Sequence, residues 1–519
     1  MAIDSLNTHS LDWAVTHVLR FGDTDIFPVP FEFRCIKTAW NMVRPQLAAI
    51  DLSTYRTSGV RRMLVPKPAG GFRVATQLNP VDAIIYLAAV YEAAAKIEAN
   101  RIPAGRNIAC SYRIDISPDG QLFGIETGWP EFHAKSEECA KSGEFTHVLI
   151  ADIADFYSQI YSHRVQGALE AADVPSARSE NIERFLLSLT AKQTRGVPVG
   201  PSASILLAEA VLSDVDSFLL RRGLTFTRYV DDFRIFCQSR RQATRIYHDL
   251  AEYLYTSHRL TLEQQKSRVL RVETFGRKEL VDPARLEKES KLRRQRELIE
   301  AIRFMSGYNL SEDELPDEDK RKVVRENLVE LFKTCVGERP LPLGLARYLL
   351  RRATRLRTTV LNDIAFQNLT TLVPVFRELI NYLRVTVPKR AAAGRGQEIV
   401  TFLKTSIFGE VPFLRLWAMD LFLERPDLLS SDSALDLSRE FRDDLGIRPY
   451  ALIAQRAKKV DWVRGQKEIW MNYSPWDRRA VIYAGSVLPA KERRIWLDMV
   501  ASATDDVLDK AVAACAKQG

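Results

Sequence analysis

No two cysteines lie close together in this chain. The six, Cys35, Cys110, Cys139, Cys237, Cys335 and Cys515, are scattered with no Cys-x-x-Cys spacing, which excludes the common zinc-ribbon pattern and a dense disulfide framework. Also missing is any run of about 18 apolar residues, the length a membrane-spanning helix needs. The first residues, Met1-Ala2-Ile3-Asp4-Ser5, show no basic segment leading into an apolar stretch, so the expectation is no signal peptide and a cytoplasmic location. There is no basic tail either, because lysine and arginine are spread along the whole length.

What is present is a globular composition. With 519 residues, 46% of them hydrophobic, the chain can fill roughly two to four domain cores. A net charge of +8 and a pI of about 9.1 favour a polyanionic partner, or an anionic substrate such as a nucleoside triphosphate, over a membrane surface.

Local patterns divide the chain in two. Ser10 is placed to cap a helix carrying Trp13, Val15, Val18 and Leu19, with Gly22 as its stop. Residues 62 to 73 read as strand, Pro/Gly turn, strand, and a helical pattern follows from Asn79 to Ala99. The apolar run His147 to Ala151 predicts a buried strand ending at Asp152. From about residue 285 proline and glycine punctuate long amphipathic stretches of helical periodicity, Val360 to Leu383 among them, without a strand signal, as in an α-solenoid of HEAT type. The basic run Lys288 to Arg296 reads as a solvated helix face joining the two halves, with a polyanion contact as the sharper alternative.

Two acidic sites carry the chemistry. Tyr229-Val230-Asp231-Asp232 sits between the runs Thr225 to Arg228 and Phe233 to Phe236, which predicts a hairpin with both aspartates at its tip. Adjacent carboxylates repel, so a fold that presents both usually holds a cation there; by itself the tetrapeptide is equally a solvated turn. Upstream, Asp152 emerges from the end of a buried strand, where an unpaired carboxylate is costly. The intervening chain allows a strand, two helices and a return strand beside the first. Carboxylates on neighbouring strands could then hold two Mg²⁺ ions about 4 Å apart. Between them Arg195 to Ser204 contains Gly196 and Gly200 and leads into a helix whose N-terminus favours negative charge. Lys266 follows what reads as a short apolar strand, Leu260 to Leu262.

Taken in order, Pro66-Lys67 with Gly70-Gly71-Phe72-Arg73, Asp152 to Ile160, Gly196 to Ser204, Tyr229 to Asp232, and Leu262 to Lys266 resemble the fingers and palm motifs of reverse transcriptases. The usual Pro-Gln-Gly is here Pro198-Val199-Gly200-Pro201, with Ala208-Glu209 further along, and the chain opens with Gly22-Asp23-Thr24-Asp25-Ile26-Phe27-Pro28. Both details are similar to the bacterial abortive-infection (Abi) reverse transcriptases of phage defence. The resemblance implies an α+β fold: right-hand polymerase fingers and palm, followed by an all-α HEAT-like repeat domain in place of a thumb. The expected domains are 1–61, an N-terminal extension of the fingers; 62–280, fingers and palm; and 281–519, the helical repeats. No zinc ribbon, RNase H carboxylate set or maturase domain is read after residue 285.

The resemblance also implies roles. Asp152, Asp231 and Asp232 would be the catalytic metal ligands, joined by the Ile153 carbonyl. Lys67 and Arg73 would hold the triphosphate, Tyr157 would pack under the sugar and exclude a 2′-hydroxyl, Gly200 would lie against the nucleotide, and Lys266 would protonate pyrophosphate. The implied activity is dNTP polymerisation with Mg²⁺, without a template and primed from a protein hydroxyl. The product would be single-stranded DNA, and the assembly a homo-oligomer such as a trimer or hexamer. Ser5, Thr8, Ser10 and Tyr112 stay open as primers, the first tyrosine being Tyr55. A retron-type templated enzyme, an idle palm that binds nucleic acid, and an RNA polymerase are the alternatives.

Overall fold

Asn7 starts the first helix, α1 (Thr8–Phe21), by accepting a hydrogen bond from the His9 amide at 2.8 Å. Ser10, the expected cap, instead lies inside the first turn, where its hydroxyl donates to the Asn7 carbonyl and the Glu92 carboxylate. The helix begins earlier than its apolar stripe because the cap only has to precede the first helical dihedrals. Gly22 ends it with φ of 81° and its amide on the Val18 carbonyl at 3.0 Å. The computed structural model describes residues 4–67, 70–124, 128–280, 286–288, 290–291 and 317–518. Of the basic run Lys288 to Arg296, residues 289 and 292–296 lie outside them, as do residues 281–285 at the expected domain boundary.

The chain continues with α2 (Glu32–Thr38), α3 (Trp40–Ala48), a hairpin of β1 (Arg61–Pro66) and β2 (Phe72–Gln77), then α4 (Pro80–Asn100) and α5 (Trp129–Lys141). Strand β3 (His147–Asp152) is followed by α6 (Phe156–Gln159), α7 (Ser162–Ala171), α8 (Ser176–Leu189) and α9 (Ser202–Arg221). Next come β4 (Thr225–Tyr229), β5 (Asp232–Cys237), α10 (Arg240–Tyr253), β6 (Arg268–Arg271) and α11 (Val272–Lys278). Four helices, not two, thus separate Asp152 from the hairpin. A second correction concerns Lys266: residues 260–262 form no strand, Leu262 making only an isolated bridge to Ile153, and the strand lies after the lysine, as β6.

Strands β4, β5, β3 and β6 form one antiparallel sheet in that order. Val148, Ile150 and Phe236 share a face and pack with Cys139 of α5 and with Val272 and Phe275 of α11. Directly opposed residues of an antiparallel pair point to one side. The pairings Val148↔Phe236, Ile150↔Arg234 and Asp152↔Asp232 therefore set both aspartates at the end of this same face. Helix α10 packs against β3 and β5.

By its packing the chain divides into two units: 1–62, 75–280 and 505–514 form one, and 63–74, 281–504 and 515–519 the other. The division departs from a single cut in the chain at residues 63–74, which hold most of the β1–β2 hairpin, and at residues 505–514. In the second unit the described residues from 317 to 504 are helical or irregular, without a strand. Helices close in sequence pack on one another: Asp317–Gly337 on the next helix, Leu343–Arg355, and Phe376–Thr386 on Pro412–Glu424, the next but one. The expected stretch Val360 to Leu383 is broken into Asn362–Gln367 and Phe376–Thr386, with Pro374 in the 3₁₀ turn between them.

Gly396 permits one close approach. A Cβ there would fall 1.8 Å from the Leu428 carbonyl oxygen, whereas at Gly394 of the same helix, Ala392–Thr405, it would meet nothing within 4 Å. Gly396→Ala should cost about 2–4 kcal/mol by backbone overpacking. Gly394→Ala should be neutral or stabilising by up to about 1 kcal/mol. Thermal melting of the two variants side by side checks the contrast.

Candidate active site

Asp152 and Asp232 meet because β3 and β5 are in the register that pairs them, and Asp231 hangs from the two-residue loop joining β4 to β5, where Tyr229 pairs with Asp232. The loop is unusual in its first residue. Val230 has φ of 53°, a region that β-branched side chains avoid and that hairpin turns normally give to glycine. Both of its backbone groups are gripped: its amide donates to the Ser111 hydroxyl at 2.8 Å, and its carbonyl accepts from the Arg228 guanidinium at 3.1 Å.

Arg228 is fully buried. Its guanidinium forks onto Asp216 at 2.8 and 2.6 Å and reaches Glu209 at 3.0 Å. Glu209, buried in the apolar helix α9, also accepts from Arg101 at 2.8 Å and from the Ser111 hydroxyl. Burial alone would push the Glu209 carboxyl up, but Arg228 and Arg101 hold it below its ordinary range. Burial would likewise strip the proton from Arg228, yet Asp216 and Glu209 keep it more firmly charged than usual. Of these residues the sequence singled out only Glu209, as a detail of the family resemblance, and none as part of the site; the available signal was charge inside apolar runs, Glu209 in α9 and Arg228 in β4.

The aspartates themselves are electrostatically poor neighbours. Burial, together with the charge of Asp152, pushes the Asp231 carboxyl up to about 6. Burial also pushes Asp232 up to about 6, Arg234 opposing it and Asp152 adding to it. Arg234 lies over the Phe132 ring at 4.0 Å and donates to Ser136 at 3.0 Å. Asp232 Oδ1 is buried with no hydrogen-bond partner. Lys266 donates to both oxygens of Asp152 at 3.0 Å, so its ammonium balances this carboxylate. The three aspartates do not all come within 4.8 Å of one another; among the described residues His248, Asp249 and Glu252, on the exposed side of α10, do. An unpartnered buried carboxylate oxygen, two neighbouring acids of raised pKa and an all-oxygen donor set nevertheless fit a hard divalent cation.

Ile153 bonds through its amide to the Asp231 carbonyl at 3.3 Å. Tyr157, half-buried, follows on α6, and its carbonyl accepts the Val197 amide at 2.8 Å, which ties the Gly196–Pro201 loop to this segment. Gly200 has φ of 129° and leaves no room for a side chain, since a Cβ would lie 2.6 Å from Thr24 Oγ1. Thr24 bridges Pro201, and the Thr76 amide donates to the Val199 carbonyl at 2.9 Å. Tyr112 stacks obliquely on Tyr229 with ring centres 5.9 Å apart. Tyr55 is engaged with Asp82 at 2.6 Å, and Ser10 is buried. Lys67 and Arg73 belong to the hairpin of the second unit, where the Lys67 amide bonds to the Gly71 carbonyl at 3.0 Å.

The raised acids make a stability prediction. A carboxyl whose folded pKa lies above its unfolded value binds extra protons when folded, so stability falls as pH rises from about 4 through about 6. In protein stripped of divalent ions, Asp232→Asn should therefore raise the melting temperature at pH 7.5 by about 2–4 °C. The gain should vanish near pH 4; scanning calorimetry at the two pH values checks it.

Residues 65–295 match the model of the family described as reverse transcriptase (RNA-dependent DNA polymerase). None of the curated proteins matches the chain. Similar solved structures include telomerase from Candida albicans in complex with a TWJ fragment of telomeric RNA, with a TM-score of 0.31 and 12% identity over 75% of this chain and 71% of that one. Apo telomerase from Candida tropicalis gives a TM-score of 0.32 and 11% identity over 73% of this chain and 74% of that one. At these scores the likeness carries no functional weight. With the family match laid over a strand register that pairs Asp152 with Asp232, the chain carries a reverse transcriptase domain over residues 65–295.

Proposed function

We propose that this chain is an Abi-type reverse transcriptase of phage defence that polymerises deoxynucleotides at Asp152, Asp231 and Asp232, without a template and from a protein hydroxyl. The observation that carries the polymerase reading is the register that sets Asp152 against Asp232, with Asp231 on the adjoining turn. Support for untemplated synthesis is the residue at 199. Where the resemblance expects a glutamine amide to help position the template or the incoming nucleotide, Val199 offers only backbone, and its carbonyl is already taken by Thr76.

In this reading a hydroxyl oxygen attacks the α-phosphorus of a dNTP and pyrophosphate leaves. Asp152, Asp231, Asp232 and the Ile153 carbonyl would hold Mg²⁺, which when bound supplies charge neutralisation at the phosphates and favours the alkoxide. Tyr157 would lie under the sugar, excluding a 2′-hydroxyl, and Gly200 would let backbone approach the nucleotide. Lys67 and Arg73 would neutralise the triphosphate. Lys266, a donor with a mobile stem, would give a proton to the departing pyrophosphate. The helical region would act as a HEAT-like repeat in place of a thumb and as the surface of a homo-oligomer, a trimer or hexamer. A retron-type, templated activity is the second reading, favoured by the family model's own description as RNA-dependent.

Incubation with labelled dNTPs and Mg²⁺, without template or primer, tests the proposal. The expected result is a long product that shrinks on protease digestion; synthesis only on an added RNA template supports the second reading. Asp231→Asn should lower incorporation by on the order of 1,000-fold. Tyr157→Ala should admit ATP alongside dATP, measured as the ratio of their incorporation rates.

A further inference from the structure

We propose that Ser111, Glu209 and Arg228 form a positioning clamp that holds the Val230–Asp231 turn in its strained form and so tunes divalent-ion engagement by Asp231; this rests on the metal-dependent polymerase reading. Val230 sits at φ of 53° immediately before Asp231. A β-branched residue persists in that region only when its surroundings over-determine it. Here they do: Ser111 takes the Val230 amide, Arg228 takes the Val230 carbonyl, and Glu209 holds both Ser111 and Arg228. The two polar groups of the strained peptide thus close a ring of hydrogen bonds through one buried carboxylate.

The clamp draws on three separate parts of the chain. The segment carrying Ser111 runs beside β4, with the Arg228 amide on the Ile108 carbonyl at 2.7 Å and the Cys110 amide on the Arg228 carbonyl at 3.0 Å. Glu209 and Asp216 come from α9, whose N-terminus follows Gly200. Asp216 anchors Arg228 through two bonds, so the guanidinium is fixed before it reaches Val230. The hydrogen bonds of Ser111 and Arg228 to the turn end on the Val230 peptide, and Glu209 acts one step further back, through those two side chains. Their action is on the backbone that aims the Asp231 carboxylate.

Removing Arg228 would leave Glu209 and Asp216 buried without their shared cation, and such a variant would unfold for reasons unrelated to the turn. Ser111→Ala is the sharper test, because it deletes one hydrogen-bond partner of the turn and leaves the Arg228 ion pairs in place. Two quantities should be measured against Mg²⁺ concentration for the full chain, Ser111→Ala, Glu209→Gln and Asp231→Asn: incorporation at saturating dNTP, and the melting temperature without dNTP, whose rise with Mg²⁺ reads ion binding directly. In Ser111→Ala the half-saturating Mg²⁺ concentration should rise about five- to tenfold, with the KM for dNTP at saturating Mg²⁺ changed less than about twofold. Glu209→Gln should move it the same way. An unchanged half-saturation point in folded Ser111→Ala, with Asp231→Asn inactive, overturns the clamp and leaves the polymerase reading standing. Full activity in Asp231→Asn overturns that reading itself, and the clamp's proposed purpose with it.

Discussion

The buried charge cluster around Arg228 is the constraint on which the rest of the site depends. Taking a guanidinium and two carboxylates out of water is expensive, and attraction offsets the cost only when every donor and acceptor is matched. Arg228 comes close to this condition, with four of its five N–H donors engaged: Asp216 takes a fork of two bonds, Glu209 a third and the Val230 carbonyl a fourth. Because the cluster is intolerant of rearrangement, the elements that supply it are locked in mutual position. They are α9, the segment around Ser111, and β4, the first strand of the hairpin bearing Asp231 and Asp232.

The same economy runs in the opposite direction at the aspartates. There burial is not compensated by an equal number of cations: Lys266 attends Asp152 and Arg234 lies near Asp232, while Asp231 and Asp232 are pushed toward the protonated form. A fold that matches charges so fully around Arg228 and leaves them unmatched a few residues away has put its electrostatic tension where a divalent ion would relieve it. Strain in the Val230 backbone is a second store at the same place. Both fit a site organised for phosphoryl chemistry, in which catalysis is mostly positioning and charge neutralisation.

Much of the local structure was legible because it follows from short-range rules. The alternation and β-branching of residues 225–236, the apolar run before Asp152 and the Gly22 stop each have one physical reading, and β3, β4, β5 and the end of α1 follow it. Where several local solutions compete, the reading failed. Asn7 and Ser10 are both good caps, Pro374 divides what periodicity presents as one helix, and Leu260-Thr261-Leu262 has the composition of a strand but only one bridge. Charged residues inside apolar stretches, such as Glu209 and Arg228, carry no local sign of their partners.

By itself the sequence determined the identity and order of the acidic motifs, the hairpin that presents Asp231 and Asp232, and the helical character of the C-terminal region, since these depend on propensity, periodicity and spacing along the chain. Only the tertiary structure decided that Asp152 faces Asp232 in register, that Lys266 pairs with Asp152, and that Ser111 and Arg228 grip the Val230 peptide. Two of these contacts join residues far apart in the chain, Ser111 with Val230 (|i−j| of 119) and Lys266 with Asp152 (114). Their energies come from desolvation and charge matching in a shared interior, quantities that no single segment of the chain contains.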